Sequence, residues 1–426
     1  MRYILNSGFE YIYGGVLMNL KGKNVLITGI GGFVGSYLAE ELLKNEVNVY
    51  GLIRGRADGA NSKNVMDRGI SNDVKFIGGD LTDITSLANA LDTSEPDFIF
   101  HLAAQSFVPR SFENSLETQQ INCIGTANLL DAVRIKDIDA KTIFAGSSEE
   151  YGLVIASEDH YQSAKNEYGA VFPEPESIPE VPIKESNPLR PMSPYAVSKV
   201  YGDFLMRNYY HSYGMDNVVS RAFNHEGAGR GPMFVTSVII NQIMKLKFSE
   251  VDRISIGNVN AFRDWSHVKD IVAGYMLLAE KGKSGEVYNQ GSMRTNSVLS
   301  YILSGLHEAG WNVDKIETFN GEKLIKEPVA IDDSDVFGVN FEKTAVDKMM
   351  LEGELEYTIQ DKGIHAHTDK GKISIEFNPD RFRPAEVPIL LSNTEKIQKL
   401  GCKTKYKLND IIKDQLNYYL KKENRI

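Results

Sequence analysis

The chain has 426 residues, 42% of them hydrophobic and 24% charged, and carries a net charge of −10. That balance argues against a nucleic-acid or membrane-surface binder, and no apolar run approaches the roughly 20 residues that cross a bilayer. Cys123 and Cys402 have neither CxxC spacing nor a disulfide framework, so a reducing cytoplasm is expected and a zinc or disulfide scaffold is not.

The first seventeen residues, "MRYILNSGFEYIYGGVL", lack the basic start and long apolar core of a signal peptide. Met18 opens "MNLKGKNVLITG", the way a chain begins when its first strand follows at once, so Met18 is the expected natural start. From Asn24 the rhythm is strand, glycine turn, helix, strand. "NVLIT" reads as a buried strand, "GGFVGSYLAEELLK" as an amphipathic helix and "VNVYGLI" as the next strand. "VKFIGGDL", "DFIFHLAA" and "KTIFAGSS" follow at similar spacing, which predicts an α/β fold with a doubly wound parallel sheet. The length leaves room for a smaller second domain. Residues 155–185, rich in Glu and Pro, and residues 320–372 read as long irregular pieces. The second contains "IHAHTDKGKISIEF", a β-hairpin pattern in which His365 and His367 alternate onto one side. A solvent-facing pair is expected there, and no metal site.

The first motif with chemistry is "TGIGGFVG", running from Thr28 to Gly35. Gly29, Gly32 and Gly35 follow a strand and open a helix. The first allows the tight turn, the second lets a pyrophosphate approach the backbone, and the third lets helix and strand pack closely. The second strand ends in "GLIRGRA", with Arg54 and Arg56 in place of the acidic residue that would bind the ribose hydroxyls of NAD. Arginine pairs with a 2′-phosphate, so NADP is favoured over NAD. Asp80, followed by Leu81 after the third strand, can accept a hydrogen bond from an adenine amino group.

The second motif is "SPYAVSK", in which Tyr195 and Lys199 lie one helical turn apart and share a face. A neighbouring ammonium is expected to pull the phenol pKa down from about 10. Such a tyrosine takes a proton from an alcohol as hydride leaves for a nicotinamide. Between the two motifs stands "AGSSEEYG", where two serines and two carboxylates follow a β-prone run.

These residues resemble the extended short-chain dehydrogenase/reductase superfamily. "SSEEYGLV", "RPMSPYAVSKVYGDF", "FNHEGAGRGPMFVT", "GNVNAFRDWSHVKD" and "FNPDRFRPAEV" are similar, in order, to signature stretches of the GDP-mannose 4,6-dehydratases. The resemblance runs from about Asn24 to the C-terminus. It implies an NADP-binding Rossmann domain (residues 18–225 and 264–292) and a smaller nucleotide-sugar domain (residues 226–263 and 293–426). It also implies a homodimer or homotetramer built on helices flanking the active site.

By the same resemblance, Tyr195 deprotonates the C4 hydroxyl of the sugar, with Ser147 on the same oxygen and Lys199 supporting the phenol. Glu149 removes the C5 proton, and water leaves from C6 with Glu149 as proton donor and Ser148 assisting. Glu150 stands where familiar members carry an apolar residue and is expected to be structural. Phe33 and Val34 in the glycine turn, with Leu102, Ala103 and Ala104, belong to the cofactor side. Gln105, Ser106 and Asn224 belong to the hexose side, and Arg263, Arg383 and Glu386 to the diphosphate and ribose. Ser237 and Val238 replace an Arg-Lys pair of the family, and Phe33-Val34 replaces a polar pair. The sister GDP-4-keto-6-deoxymannose reductases share several of these runs, and other NDP-sugar dehydratases or epimerases remain alternatives. A non-catalytic NADP-sensing regulator is a more remote one.

Overall fold

Apolar runs without alternation, such as "NVLIT", mark strands covered on both faces. The computed structural model, which describes residues 20–54, 62–382 and 387–425, builds them into one sheet. Its longer strands are β1 Asn24–Thr28, β2 Asn48–Ile53, β3 Lys75–Gly78, β4 Phe98–His101, β5 Lys141–Ala145, β6 Asn217–Ala222, β7 Arg253–Ile256, β8 Val287–Gln290, β9 Val313–Thr318, β10 Leu324–Lys326, β11 Gly363–Thr368 and β12 Gly371–Phe377. The first sheet runs β8-β6-β5-β4-β1-β2-β3, and every pairing in it is parallel. The expected doubly wound α/β fold is therefore observed. Val25, Ile27, Phe100 and Ile143 meet Leu38 and Leu42 of helix α1 (Phe33–Lys44) on one face. Leu26, Leu52 and Ile99 meet Leu87, Leu91 and Leu129 on the other. The winding reverses between β1 and β4, whose ends align at Thr28 and His101, so their carboxyl ends open a crevice.

A second sheet, β10-β9-β11-β12-β7, is antiparallel except for its β12–β7 pair. Helices Val235–Lys247, Val298–Glu308 and Leu408–Leu420 cover it through Ile240, Leu303 and Ile412, which pack with Ile316 and Ile364 of the sheet. Among the described residues no helix is long and apolar enough to cross a membrane.

The two pieces that read as irregular are ordered by their own polar groups. In the first, Ser157 caps a helix, Glu158–Tyr168, by accepting the His160 amide. Arg190 and Glu180 form a bidentate pair at 2.8 Å with both side chains buried, and Glu180 also accepts the Ile155 amide. Gly152 and Arg190 are bridged backbone to backbone, closing the segment at its stem. Gly152 has φ +55, and a Cβ there would lie 1.8 Å from the Arg190 carbonyl oxygen. In the second piece, Thr344 and Asp347 make a capping box on helix Ala345–Leu351, and the expected hairpin is β11–β12. A Glu/Pro-rich composition signals loop when its charges are solvated; here Glu158, Glu167, Glu174 and Glu176 are exposed, and Glu180 alone is spent inside. His367 bonds Glu317 at 2.8 Å and His365 approaches Ser374 at 3.3 Å. Among the described residues no cluster of three or more metal-ligating side chains occurs.

Candidate active site

The glycine turn works as its spacing demands. Gly29 has φ +77 and a Cβ there would meet the Ala103 backbone at 2.8 Å, while a Cβ on Gly35 would lie 2.4 Å from the Gly29 oxygen. Gly32 caps α1 without any side-chain hydrogen bond, and the first turn holds no acidic residue, so its amides and positive dipole end remain open to an anion. Thr28, by contrast, spends its hydroxyl in the wall, 2.8 Å from His101 Nδ1 and 3.2 Å from the Ala103 amide that donates to it. Phe33 packs edge-on against Tyr37 and lies parallel to His225 at 6.5 Å, with Val34 half-buried beside it.

Arg54, exposed at the end of β2, and Asp80, after β3, lie on neighbouring strand ends. The Thr82 amide and hydroxyl, at 2.8 and 2.7 Å, hold the Asp80 carboxyl below its ordinary range, and the Arg54 charge adds to this. Leu81 is buried, and Leu102, Ala103 and Ala104 are half-buried just beyond β4. Arg56 lies outside the described residues. An uncapped helix end, a glycine turn and an Arg-Asp pair one strand apart fit the pyrophosphate, ribose and adenine of a dinucleotide.

The end of β5 holds the residues expected to handle protons. Ser147 caps a single tight turn, Ser148–Glu150, by accepting the Glu149 amide at 3.2 Å. Glu150 returns the bond, accepting the Ser147 amide at 2.7 Å. Ser148 and Glu150 are buried, and Glu149 is only partly so. The facing helix α2 (Pro194–Tyr213) starts with Pro194 at its first position and is capped by Ser193, which accepts the Ala196 amide. It brings the Tyr195 phenol beside the Ser147 hydroxyl, near enough for that hydroxyl to favour the phenolate. One turn on, Lys199 donates to the Ala145 carbonyl at 2.6 Å, 5.9 Å from the centre of the Tyr195 ring.

The expected effect of Lys199 on Tyr195 is not what the structure has. Burial pushes the phenol above its ordinary value, with the charges of Glu149 and Glu150 adding to it; the Ser147 hydroxyl and the Arg230 charge oppose it. The Lys199 ammonium is directed to the Ala145 carbonyl instead. Burial lowers Lys199 itself to about 8, against the upward pull of Glu150 and Cys123.

Of the residues expected to face a hexose, Gln105 is occupied: its Nε2 donates to the Phe107 carbonyl and Thr118, and its Oε1 accepts the Phe107 amide at 2.6 Å. Ser106 is exposed. Asn224, just after β6, has a buried Oδ1 with no protein donor. Arg263 is buried on a ladder with Asn296 and donates to the Phe262 and Val387 carbonyls at 2.9 and 2.7 Å. Arg383 and Glu386 lie outside the described residues. Ser237 donates to the Arg230 carbonyl, and Val238 packs on the second core.

Sequence reasoning passed over Arg230 and His225. Arg230 stacks 3.6 Å over Phe234 and 5.3 Å from the Phe33 ring centre, with a buried Nε that has no hydrogen-bond partner. Burial lowers His225 to about 4, so it stays neutral beside that guanidinium. The signal was present: an arginine between Gly229 and Gly231 in a run already set apart.

Comparison with known proteins agrees with this geometry. The model of the family described as "NAD dependent epimerase/dehydratase family" matches residues 25–291. The chain is 34% identical to the GDP-mannose 4,6-dehydratase of Yersinia enterocolitica over 390 residues, 89% of each chain. Among solved structures it is similar to UDP-glucose 4-epimerase from Bifidobacterium longum in complex with NAD+ and UDP, with TM-score 0.66 and 20% identity over 94% of this chain and 99% of that one. It is also similar to RMD from Pseudomonas aeruginosa complexed with NADPH, with TM-score 0.62 and 20% identity over 93% and 98%. At 20% identity the two structural likenesses speak for the fold.

Proposed function

We propose a specific activity for this chain, which belongs to the NAD dependent epimerase/dehydratase family. It is a GDP-mannose 4,6-dehydratase, a hydro-lyase converting GDP-D-mannose to GDP-4-keto-6-deoxy-D-mannose. The observation that carries this reading is Glu149. It is a partly open carboxylate on the turn that also presents Ser147 to Tyr195. Redox at C4 alone needs the serine, tyrosine and lysine; dehydration needs a base for C5 as well. The identity to a relative of that name, over most of both chains, supports it.

A bound nicotinamide dinucleotide supplies the acceptance and return of hydride. Thr28, Gly29, Gly32, Phe33, Val34, Gly35, Leu102, Ala103 and Ala104 line its expected place, and Arg54 favours NADP. Tyr195 removes the C4 hydroxyl proton while Ser147 holds that oxygen. Once C4 is a ketone, Glu149 abstracts the acidified C5 proton and then protonates the departing C6 hydroxyl, with Ser148 assisting. Asn224 offers an unspent polar atom for the sugar, and Arg230, held by Glu226 at 3.4 Å, offers the rest of its guanidinium to the cofactor. Arg263, Arg383 and Glu386 are assigned to the diphosphate and ribose. The first sheet, with residues 18–225 and 264–292, takes the cofactor; residues 226–263 and 293–426 take the nucleotide sugar. Val197, Tyr201 and Phe204 form an exposed apolar stripe on α2, flanked by exposed Leu116 and Ile124, which suits a homodimer or homotetramer. The unpaired Cys123 and Cys402 suit a reducing cytoplasm.

The test is incubation with GDP-mannose and catalytic NADP. A 4-keto sugar is expected without net NADPH change. Stoichiometric NADPH consumption with the keto sugar would mark a reductase, and cofactor binding without turnover a sensor.

A further inference from the structure

Behind the catalytic turn lies a buried group that the proposed reaction does not use. Glu150 folds back under its own strand end, and Gly146 makes room: a Cβ there would lie 2.7 Å from Glu150 Oε1. Oε1 accepts the Ser147 amide at 2.7 Å. Oε2 is buried, 3.2 Å from Arg221 Nε, and takes no hydrogen bond, because that Nε donates to Asp203 at 2.9 Å. Asp203 holds a second cation, Arg207, at 2.6 Å. One guanidinium nitrogen thus faces two carboxylates, and Asp203 is the better compensated. The Arg221 guanidinium also donates to the Tyr151 hydroxyl at 3.1 Å. The groups that face Glu150 are therefore Arg221 from β6, Asp203 and Lys199 from α2, and Tyr151 and Tyr195.

We propose that Glu150 is a positioning residue of the hydride-transfer centre: through the Ser147 amide it fixes the hydroxyl that meets Tyr195, and from that turn its carboxylate acts electrostatically on Lys199, which is held two residues away at the Ala145 carbonyl. A residue of purely structural value would be better filled by an apolar side chain, since a buried ion pair adds little net stability. The arrangement instead places a half-compensated charge within reach of both proton-handling groups. Its negative form strengthens the hold of Lys199 on its proton and raises the Tyr195 phenol. Burial and Asp203 push Glu150 itself up, against the Arg221 charge, so its ionisation is tied to that of the groups around it.

The electrostatic half is tested without substrate, by NMR titration of ¹⁵N-lysine-labelled full-length protein, with Lys199 assigned through Lys199→Arg. Glu150→Gln keeps an oxygen for the Ser147 amide and removes the charge, so Lys199 is expected to titrate about one pH unit lower. An unchanged Lys199 titration would overturn the electrostatic role. The positioning half rests on the dehydratase reading and is measured with GDP-mannose. Glu150→Leu is expected to lose roughly 10²-fold in kcat with KM little changed, and Glu150→Gln to restore turnover to within a few-fold, with its pH profile displaced downward. Equal losses in both variants without any pH displacement would reduce Glu150 to packing. If the wild-type chain leaves GDP-mannose untouched, the functional reading falls while the Lys199 titration still decides the charge. If the leucine variant does not fold, the glutamine variant decides alone.

Discussion

At the carboxyl ends of β5 and β6, Glu150, Lys199, Asp203 and Arg221 are buried together. On the second sheet, Glu317, His367, Arg253 and Glu376 pair across strands with their side chains partly in water. Both regions match opposite charges, yet their energetics differ. Removing an ion from water costs several kcal/mol, which a partner repays only in part. A rim pair risks little and returns little. Concentrated burial of charge in one crevice is therefore a better pointer to chemistry than the number of ion pairs, and the alternating histidines of β11 carry no such pointer.

The comparison predicts a descending series. Tyr195→Phe removes the proton acceptor from a buried part of the crevice. Turnover should fall to background while cofactor affinity, measured by fluorescence, is retained; near wild-type production of keto sugar would sink the assignment. Glu149→Gln is expected to lower turnover by roughly 10²- to 10⁴-fold, still allowing the first hydride transfer and then stalling. Exchange of the C5 proton with deuterated solvent should fall in parallel. Arg190→Ala strands Glu180 in the interior and should cost about 3–5 kcal/mol in chemical denaturation; a loss near zero would mean that the pair is wetter than its burial implies. Arg54→Ala, at the exposed end of β2, should weaken NADP by roughly 10- to 100-fold and leave NAD nearly unchanged, whereas equal losses would reverse the cofactor preference. Smallest of all, His367→Gln on the second sheet should leave both the melting temperature and the turnover where they are.

The parallel doubly wound sheet, the glycine turn and the Ser147, Tyr195 and Lys199 set were legible because each depends on local spacing: apolar runs, GxxGxxG and an i, i+4 pair. What was not legible depends on partners far apart in the chain. Arg221 reads as one more charge on a strand until the fold sets it against Glu150 and Asp203. Glu180 and Arg190 sit in a stretch whose prolines and acids suggest a solvated loop, and only their bidentate contact reveals an ordered segment. The Tyr195 phenol was misjudged for the opposite reason. Sequence proximity to Lys199 was visible, but the burial of both groups and the competing Ala145 carbonyl were not.

The stem at Gly152 and Arg190 has a bearing on how such a chain changes over generations. The segment leaves the catalytic turn at residue 152 and returns at residue 190, three residues before the cap of α2, and the two points are tied backbone to backbone. Length and composition around the helix Glu158–Tyr168 are thereby separated from the spacing of Ser147 and Tyr195, whereas Ile183 and Glu185 stay bonded to Asn289 and Arg221. Lineages are free to lengthen, shorten or re-sculpt that outer part without dismantling the turn and helix that its stem joins.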